Sequence, residues 1–232
     1  RSDQWNQCLH GVVWTRATTK FPTPTAMGAT WNPVLVREIM AAVSDEARAI
    51  YNGWKNDPDF RGEKKGLIYR DPVINISRNP YWGRIHEVFS EDPYLTGRMA
   101  VGYVRGMQGD HPHYLKLAST LKHYAVNNVE EGRHGLDAVV PERWLYEYWL
   151  PHFRDGVVEA KACSLMASYN AINGVRNAMN RWLLTEVLKE QWDHQGFVVS
   201  DLGGVRKLVE EGMDKKEAVA LCMMAGCDFS DR

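Results

Sequence analysis

Short apolar runs alternate along this chain with longer amphipathic ones. Ala26–Thr30, Ile68–Ile76, Ala118–His123, Cys163–Tyr169, Phe197–Asp201 and Ala225–Phe229 are brief, mostly apolar and bounded by polar residues or glycine. Apolar runs without strict alternation are how strands of a buried parallel sheet read. Between them, Leu35, Ile39, Ala42, Val43, Ala47 and Ile50 recur at helical spacing, as do Leu95, Met99, Tyr103 and Met107 after a helix-starting Asp92–Pro93. Asn180 caps a third pattern carrying Leu184, Val187 and Leu188 on one side, through Trp192. Pro151 interrupts the run Glu142–Glu159 and predicts a kink or two helices there. The polar stretch Asn52–Gly66 reads as a surface loop. Strand alternating with helix is the α/β signature, with right-handed crossovers expected.

Six strand candidates are too few for an eight-stranded barrel, which typically takes about 250 residues. An open doubly wound sheet would suit that number. However, no GxGxxG follows an early strand, and no GxxxxGK[ST] occurs anywhere in the 232 residues, so a nucleotide site is disfavoured. The balance of 28 Lys+Arg against 29 Asp+Glu argues against a nucleic-acid partner or a basic membrane-surface binder. No apolar run approaches the roughly 18 residues of a membrane span, and no charged-then-apolar leader opens the sequence. Neither a membrane partner nor a secretory signal is therefore expected. Cys8, Cys163, Cys222 and Cys227 form no CxxC pair and read as buried free thiols, which leaves the compartment unread. The 9 Trp and 10 Tyr belong mostly to a core, but aromatic platforms also line sugar-binding clefts.

What terminates the strand candidates is more informative. Asn75 ends the second, Lys122–His123 the third, Ser168–Tyr169 the fourth and Ser200–Asp201 the fifth, while Asp228 lies near the end of the sixth. Catalytic residues of α/β barrels come from the carboxyl ends of several strands. The succession predicts a ring-like active site, although any strand end must turn polar somewhere. No HExxH occurs, His111–Pro–His113 sits in a polar loop, and no metal site is expected. Ser200 is not in a GxSxG elbow. What remains is a carboxylate, Asp201, with cationic and hydroxyl groups nearby. That set suits covalent attack by carboxylate, or stabilisation of developing positive charge, as in glycoside cleavage.

These residues carry a specific resemblance. Pro72-Val-Ile-Asn-Ile-Ser-Arg-Asn-Pro-Tyr-Trp-Gly-Arg84 and Ser90-Glu-Asp-Pro-Tyr-Leu-Thr-Gly97 resemble the signature of glycoside hydrolase family 3. So do Thr120-Leu-Lys-His-Tyr124, Met166-Ala-Ser-Tyr-Asn170 with Asn173-Gly174, and Gly196-Phe-Val-Val-Ser-Asp201. The matches run in order from Leu9-His10-Gly11 to Gly226-Cys-Asp228. The resemblance implies that residues 1–232 are most of the family's N-terminal (β/α)8 TIM-barrel-like catalytic domain, truncated at both ends, with the following α/β sandwich domain outside this sequence. Asp201 would be the nucleophile of a retaining exo-β-glycosidase, forming a glycosyl-enzyme ester that water releases. Arg84, Lys122, His123 and Arg133 would hold hydroxyls of the terminal non-reducing sugar, and Tyr169 would lie against the nucleophile and the ring oxygen. The partner implied is a small carbohydrate, and no cofactor is implied. Export to the periplasm or medium is the commoner family habit, while several bacterial relatives are cytoplasmic. Arg84 has an alternative role as a structural partner of Glu87 or Asp92, and Arg133 as a solvated loop charge. Glu91 and Asp92 read as helix-start and loop-stapling carboxylates.

Four departures shape the expectation. The family's general acid/base is commonly a Glu of the sandwich domain, so a C-terminal domain or a second chain would supply it. Lys122-His123 is followed by Tyr-Ala-Val-Asn, which disfavours the N-acetylglucosaminidase branch and its His-loop acid. Gln7 stands where relatives often have Glu, and Leu202 where they often have Trp. The segment Leu9-His10-Gly11 leans towards the β-xylosidase side rather than the β-glucosidases. A non-catalytic sugar-binding barrel, or an inactive fragment lacking the general acid/base, is the other reading.

Overall fold

A computed structural model describes residues 5–13, 17–54 and 66–230. In chain order the elements begin with β1 (Trp5–Asn6), α1 (Pro24–Gly28), α2 (Pro33–Trp54), β2 (Ile68–Tyr69), α3 (Pro93–Gln108), β3 (Ala118–Tyr124) and β4 (Asp137–Ala138). Next come α4 (Glu142–Trp144), a π-helical turn over Leu145–Trp149, α5 (Pro151–Val158), β5 (Ser164–Ala167), β6 (Ala171–Ile172) and β7 (Val175–Arg176). A π-helical segment over Trp182–Gln191, β8 (Phe197–Ser200), α6 (Gly204–Glu210) and α7 (Lys215–Ala225) complete the order.

The main sheet is parallel and runs β1-β2-β3-β5-β8. Phe229 adds a parallel bridge to Val199 beyond β8. Each major strand therefore lies beside its predecessor. Right-handed crossovers that always step in one direction put every connecting helix on one face, which is the winding of a barrel and not of a doubly wound sheet. The result is a (β/α)-barrel-like domain whose sheet does not close among the described residues. Its floor is an apolar core of Leu121, Leu165, Val198, Tyr124 and Phe153, all buried.

Local chemistry accounts for most element ends. The Asp92 carboxylate accepts the Leu95 N–H at 2.6 Å, and Pro93 opens α3. Asn180 accepts the Leu183 N–H at 3.0 Å at the start of the Trp182–Gln191 segment. Pro151 does divide Glu142–Glu159 into two helical pieces. Two strand expectations fail. Ala26–Thr30 lies largely in α1, because Pro24 at its first turn starts a helix and the run is too short for periodicity to decide. Ala225–Phe229 begins as the last residue of α7, and Gly226 at φ 105° turns the chain out of the helix before Phe229 bridges the sheet. The Ile68–Ile76 run is ladder only at Ile68–Tyr69, with one further bridge from Val73 to Lys122. Of the expected loop Asn52–Gly66, residues 52–54 belong to α2 and 55–65 lie outside the described residues. The four cysteines are free thiols, all buried but Cys163, which is half-buried.

Helices α2 and α3 touch through glycine. A Cβ at Gly102 would collide with the Pro33 backbone carbonyl, and one at Gly106 with the Arg37 carbonyl and the Met40 side chain. Gly102→Ala should therefore force the two helices apart and lower stability by about 1–3 kcal/mol. The check is the urea midpoint at constant m-value; an unchanged midpoint would contradict the close packing.

Candidate active site

The carboxyl ends of the main strands converge on a cavity of about 170 Å³. Asp201 comes from the end of β8, Lys122 and His123 from β3, Tyr169 from just beyond β5, Arg84 from the loop after β2, and Arg133 from the loop after β3. All six sequence-derived candidates thus line one wall system, joined by Gln7, Leu202, Arg70 and Met166. In a regular strand Lys122 and His123 would point to opposite faces. The register between β3 and β5 shifts between Leu121 and Tyr124, and this irregularity lets both side chains reach the cavity.

His123 is the most constrained group. Its backbone N–H donates to Asn75 Oδ1 at 2.7 Å, and Asn75 Nδ2 donates back to its carbonyl at 2.9 Å. Its Nδ1 lies 3.3 Å from the same Asn75 oxygen, which can only accept, so Nδ1 carries the proton. Nε2 is then free to accept from Arg84 Nη1 at 3.0 Å. Burial, and then the positive charges of Arg84, Lys122 and Arg133, hold the imidazole well below its ordinary pKa. His123 is therefore neutral, and its 3.8 Å approach to the Asp201 carboxylate is not an ion pair.

Arg84 has the structural partner Glu87 weighed for it and also lines the cavity. Its Nε and Nη2 clamp the two oxygens of Glu87 at 2.7 and 2.6 Å, while Nη1 turns to the cavity side and His123. Burial opposes its charge, yet the Glu87 bonds raise its pKa. Arg133 is no free solvated charge. It bonds Glu130 Oε2 at 2.7 Å and stacks over the Tyr169 ring at 5.1 Å, and Glu130 in turn accepts Trp82 Nε1 at 3.1 Å. The Tyr169 hydroxyl donates to the Leu202 carbonyl at 2.6 Å.

Lys122 is 3% exposed and lines the cavity. Burial lowers its pKa, while nearby Asp71 acts to raise it. Asp71 is itself buried beneath the cavity, takes the Cys8 N–H at 2.6 Å, and is pushed up to about 6 by burial against the pull of Lys122. Asp201 accepts the Leu202 N–H at 2.7 Å. Cations near a carboxylate favour its ionised form, but burial outweighs the Leu202 N–H, Lys122, Arg84 and Arg133 together and raises its pKa. What results is a partly desolvated carboxylate facing fixed donors, chemically suited to attack on an electrophilic carbon.

Sequence reasoning missed Arg70, Met166 and Asp71. Arg70 and Asp71 sit between the strand residue Tyr69 and the Pro72 that opens a quoted motif, so their spacing beside Asn75 was the available signal. Met166 opens the motif Met166-Ala-Ser-Tyr-Asn170, but an apolar strand residue reads as core, so its place on the cavity wall was not expected.

A carbon-13 NMR titration of the Asp201 carboxyl should show a midpoint above the ordinary 3.8. Lys122→Met, which removes a charge that favours ionisation, should move it higher still. A midpoint at or below 3.8, or a downward shift in the variant, would contradict the electrostatics described.

Residues 5–230 match the sequence family described as Glycosyl hydrolase family 3 N terminal domain. The chain is 36% identical over 249 aligned positions to the exo-1,4-beta-xylosidase bxlB of Emericella nidulans, covering 97% of this chain and 31% of that protein. It is 37% identical to the thermostable beta-glucosidase B of Acetivibrio thermocellus, covering 84% of this chain and 23% of the relative. Among solved structures, a GH3 exo-beta-xylosidase (XlnD) in complex with a xylobiose aziridine activity-based probe superposes with a TM-score of 0.88 at 32% identity, over 97% of this chain and 31% of the other. The chain thus spans less than a third of the length of these relatives. A profile match over nearly all residues, together with this likeness in sequence and fold, places the chain in glycoside hydrolase family 3, as its N-terminal domain.

Proposed function

We propose that the chain is the nucleophile-bearing domain of a retaining exo-β-glycosidase that removes terminal non-reducing β-D-xylosyl or β-D-glucosyl residues. The observation that carries this reading is Asp201, the sole carboxylate among the described residues lining a cavity whose other polar walls are cations, a neutral imidazole, a phenol and the Gln7 amide. A volume of about 170 Å³ suits one pyranose ring, which favours exo attack on a chain end.

In this reading Asp201, ionised, attacks the anomeric carbon and displaces the aglycone oxygen, forming an ester. Water then attacks the same carbon and releases Asp201 as a carboxylate. Lys122, Arg84 with His123, and Arg133 donate to or accept from sugar hydroxyls, and these bonds strengthen as the ring flattens and gains positive charge. The Tyr169 ring closes one side against water. Retaining chemistry also needs an acid/base group roughly 5–5.5 Å from the nucleophile. A C-terminal domain, or a second chain, supplies it, consistent with relatives three times as long. Export to the periplasm or medium accompanies this reading as a proposal, since polymeric substrates lie outside the cell.

A sugar-binding barrel without turnover is the second reading, favoured by Asp201 being the single carboxylate among the described residues that line the cavity. Asp201→Asn separates the two. The glycosidase reading expects turnover to vanish while affinity for the monosaccharide persists, and a neutral effect on both would remove Asp201 from the site. Lys122→Ala should lower kcat/KM roughly 10- to 100-fold, the worth of a charged hydrogen bond, and raise the Kd of the free sugar by much less. Equal changes in the two would mean that Lys122 only binds.

A further inference from the structure

A second groove, larger than the catalytic cavity, opens on the described surface. It holds about 580 Å³ and is walled by Arg78, Val139, Trp144, Glu147, Tyr148 and Trp149. Its loops leave the same sheet rim as the catalytic residues, since Arg78 lies on the segment from Asn75 to Arg84 that feeds the cavity.

Three features describe what this groove takes. Part of its apolar surface faces water: Trp144 is 60% exposed and Val139 82%, whereas Trp149 is buried, and uncovered apolar area of this kind favours a ligand with apolar faces. Its charges balance. The Arg78 guanidinium stacks 5.7 Å from the Trp149 ring, and Glu147 pairs with Arg143 at 2.8 Å, so donors and acceptors are both present without net attraction for an anion or a cation. Its walls are fixed in advance. Asn173 clamps Val140 in both directions, at 2.9 Å each, and the Tyr148 hydroxyl holds the Glu91 carbonyl at 3.3 Å. A preformed groove of this size, with an exposed indole at Trp144 and a neutral set of donors and acceptors, is built for a molecule that is apolar on its flat faces and hydroxylated at its edges.

We propose that this groove is a second, non-catalytic carbohydrate site that binds a neutral β-linked oligosaccharide by stacking a pyranose ring on the exposed Trp144, with Arg78 and Glu147 reaching ring-edge hydroxyls. It holds two or three sugar units at roughly the volume each needs in the catalytic cavity, and so tethers a polymer beside the site that trims its ends. From the glycosidase reading it takes only the choice of sugar.

The test titrates the Asp201→Asn protein with xylohexaose and with cellohexaose, by calorimetry and tryptophan fluorescence, with and without saturating xylose or glucose in the catalytic cavity. Hexaose binding should persist when the cavity is filled. Trp144→Ala, an exposed position whose change leaves the fold intact, should weaken it about tenfold, the worth of a stacked aromatic face. Arg78→Ala should weaken it too, and Trp144→Ala should leave hydrolysis of an aryl monosaccharide unchanged in the Asp201-intact enzyme. Hexaose binding abolished by filling the cavity, or indifferent to both substitutions, would overturn the proposal. Failure of the glycosidase reading registers separately, as absent aryl-glycoside hydrolysis with hexaose binding retained.

Discussion

The site rests on the fixed protonation of one buried imidazole. Asn75 accepts at His123 Nδ1, so Nε2 must accept from Arg84, and Arg84 is in turn locked by both oxygens of Glu87. A protonated His123 would place a third cation against Arg84 and Lys122 at a buried position, which burial and like charge both oppose. With the imidazole neutral, Arg84 stays aimed at the cavity, and Asp201 keeps a carboxylate that no strong ion pair quenches. Each neighbour is oriented before any ligand arrives, the condition under which fixed dipoles stabilise a transition state.

The fold delivers these groups by repetition. Every major strand is added on the same side as the last, so their carboxyl ends gather at one rim. The small sheet of β4, β6 and β7 stitches the rim loops together: β4 pairs with β6, and Asn173-Gly174, at φ 50° and 85°, turns β6 into β7. Below the rim, Asn177 bonds Ser168 Oγ at 2.7 Å and the Ala125 carbonyl at 2.9 Å, tying the ends of β3 and β5. The polar layer under the cavity is thus a bonded scaffold, and the apolar core begins beneath it.

Much of this was legible in sequence because it is local. Asp92–Pro93, Asn180 and Pro151 act on the nearest turn of chain, and strand-end polarity placed Asn75, Lys122, His123, Tyr169 and Asp201 at one rim. Short apolar runs misled where a neighbouring residue decided the outcome, as Pro24 did for Ala26–Thr30 and Gly226 did for Ala225–Phe229. The net pKa of Asp201 was not legible, since nearby cations show in the motifs whereas the depth of burial belongs to the folded chain. Nor was the groove between Arg78 and Trp144, whose walls lie some sixty positions apart in sequence and meet only when the loops after two different strands fold over one another.

The central claim is that Asp201 is a nucleophile. Its most direct test is intact-protein mass before and after exposure to 2-deoxy-2-fluoro-β-D-xylosyl and -glucosyl fluorides, followed by peptide mapping. The activated leaving group needs little help from an acid, so the nucleophile alone decides the outcome. The account predicts a single adduct on the peptide containing Asp201, absent in Asp201→Asn. An adduct on another carboxylate, or none from a folded protein that binds the parent sugars, would contradict it.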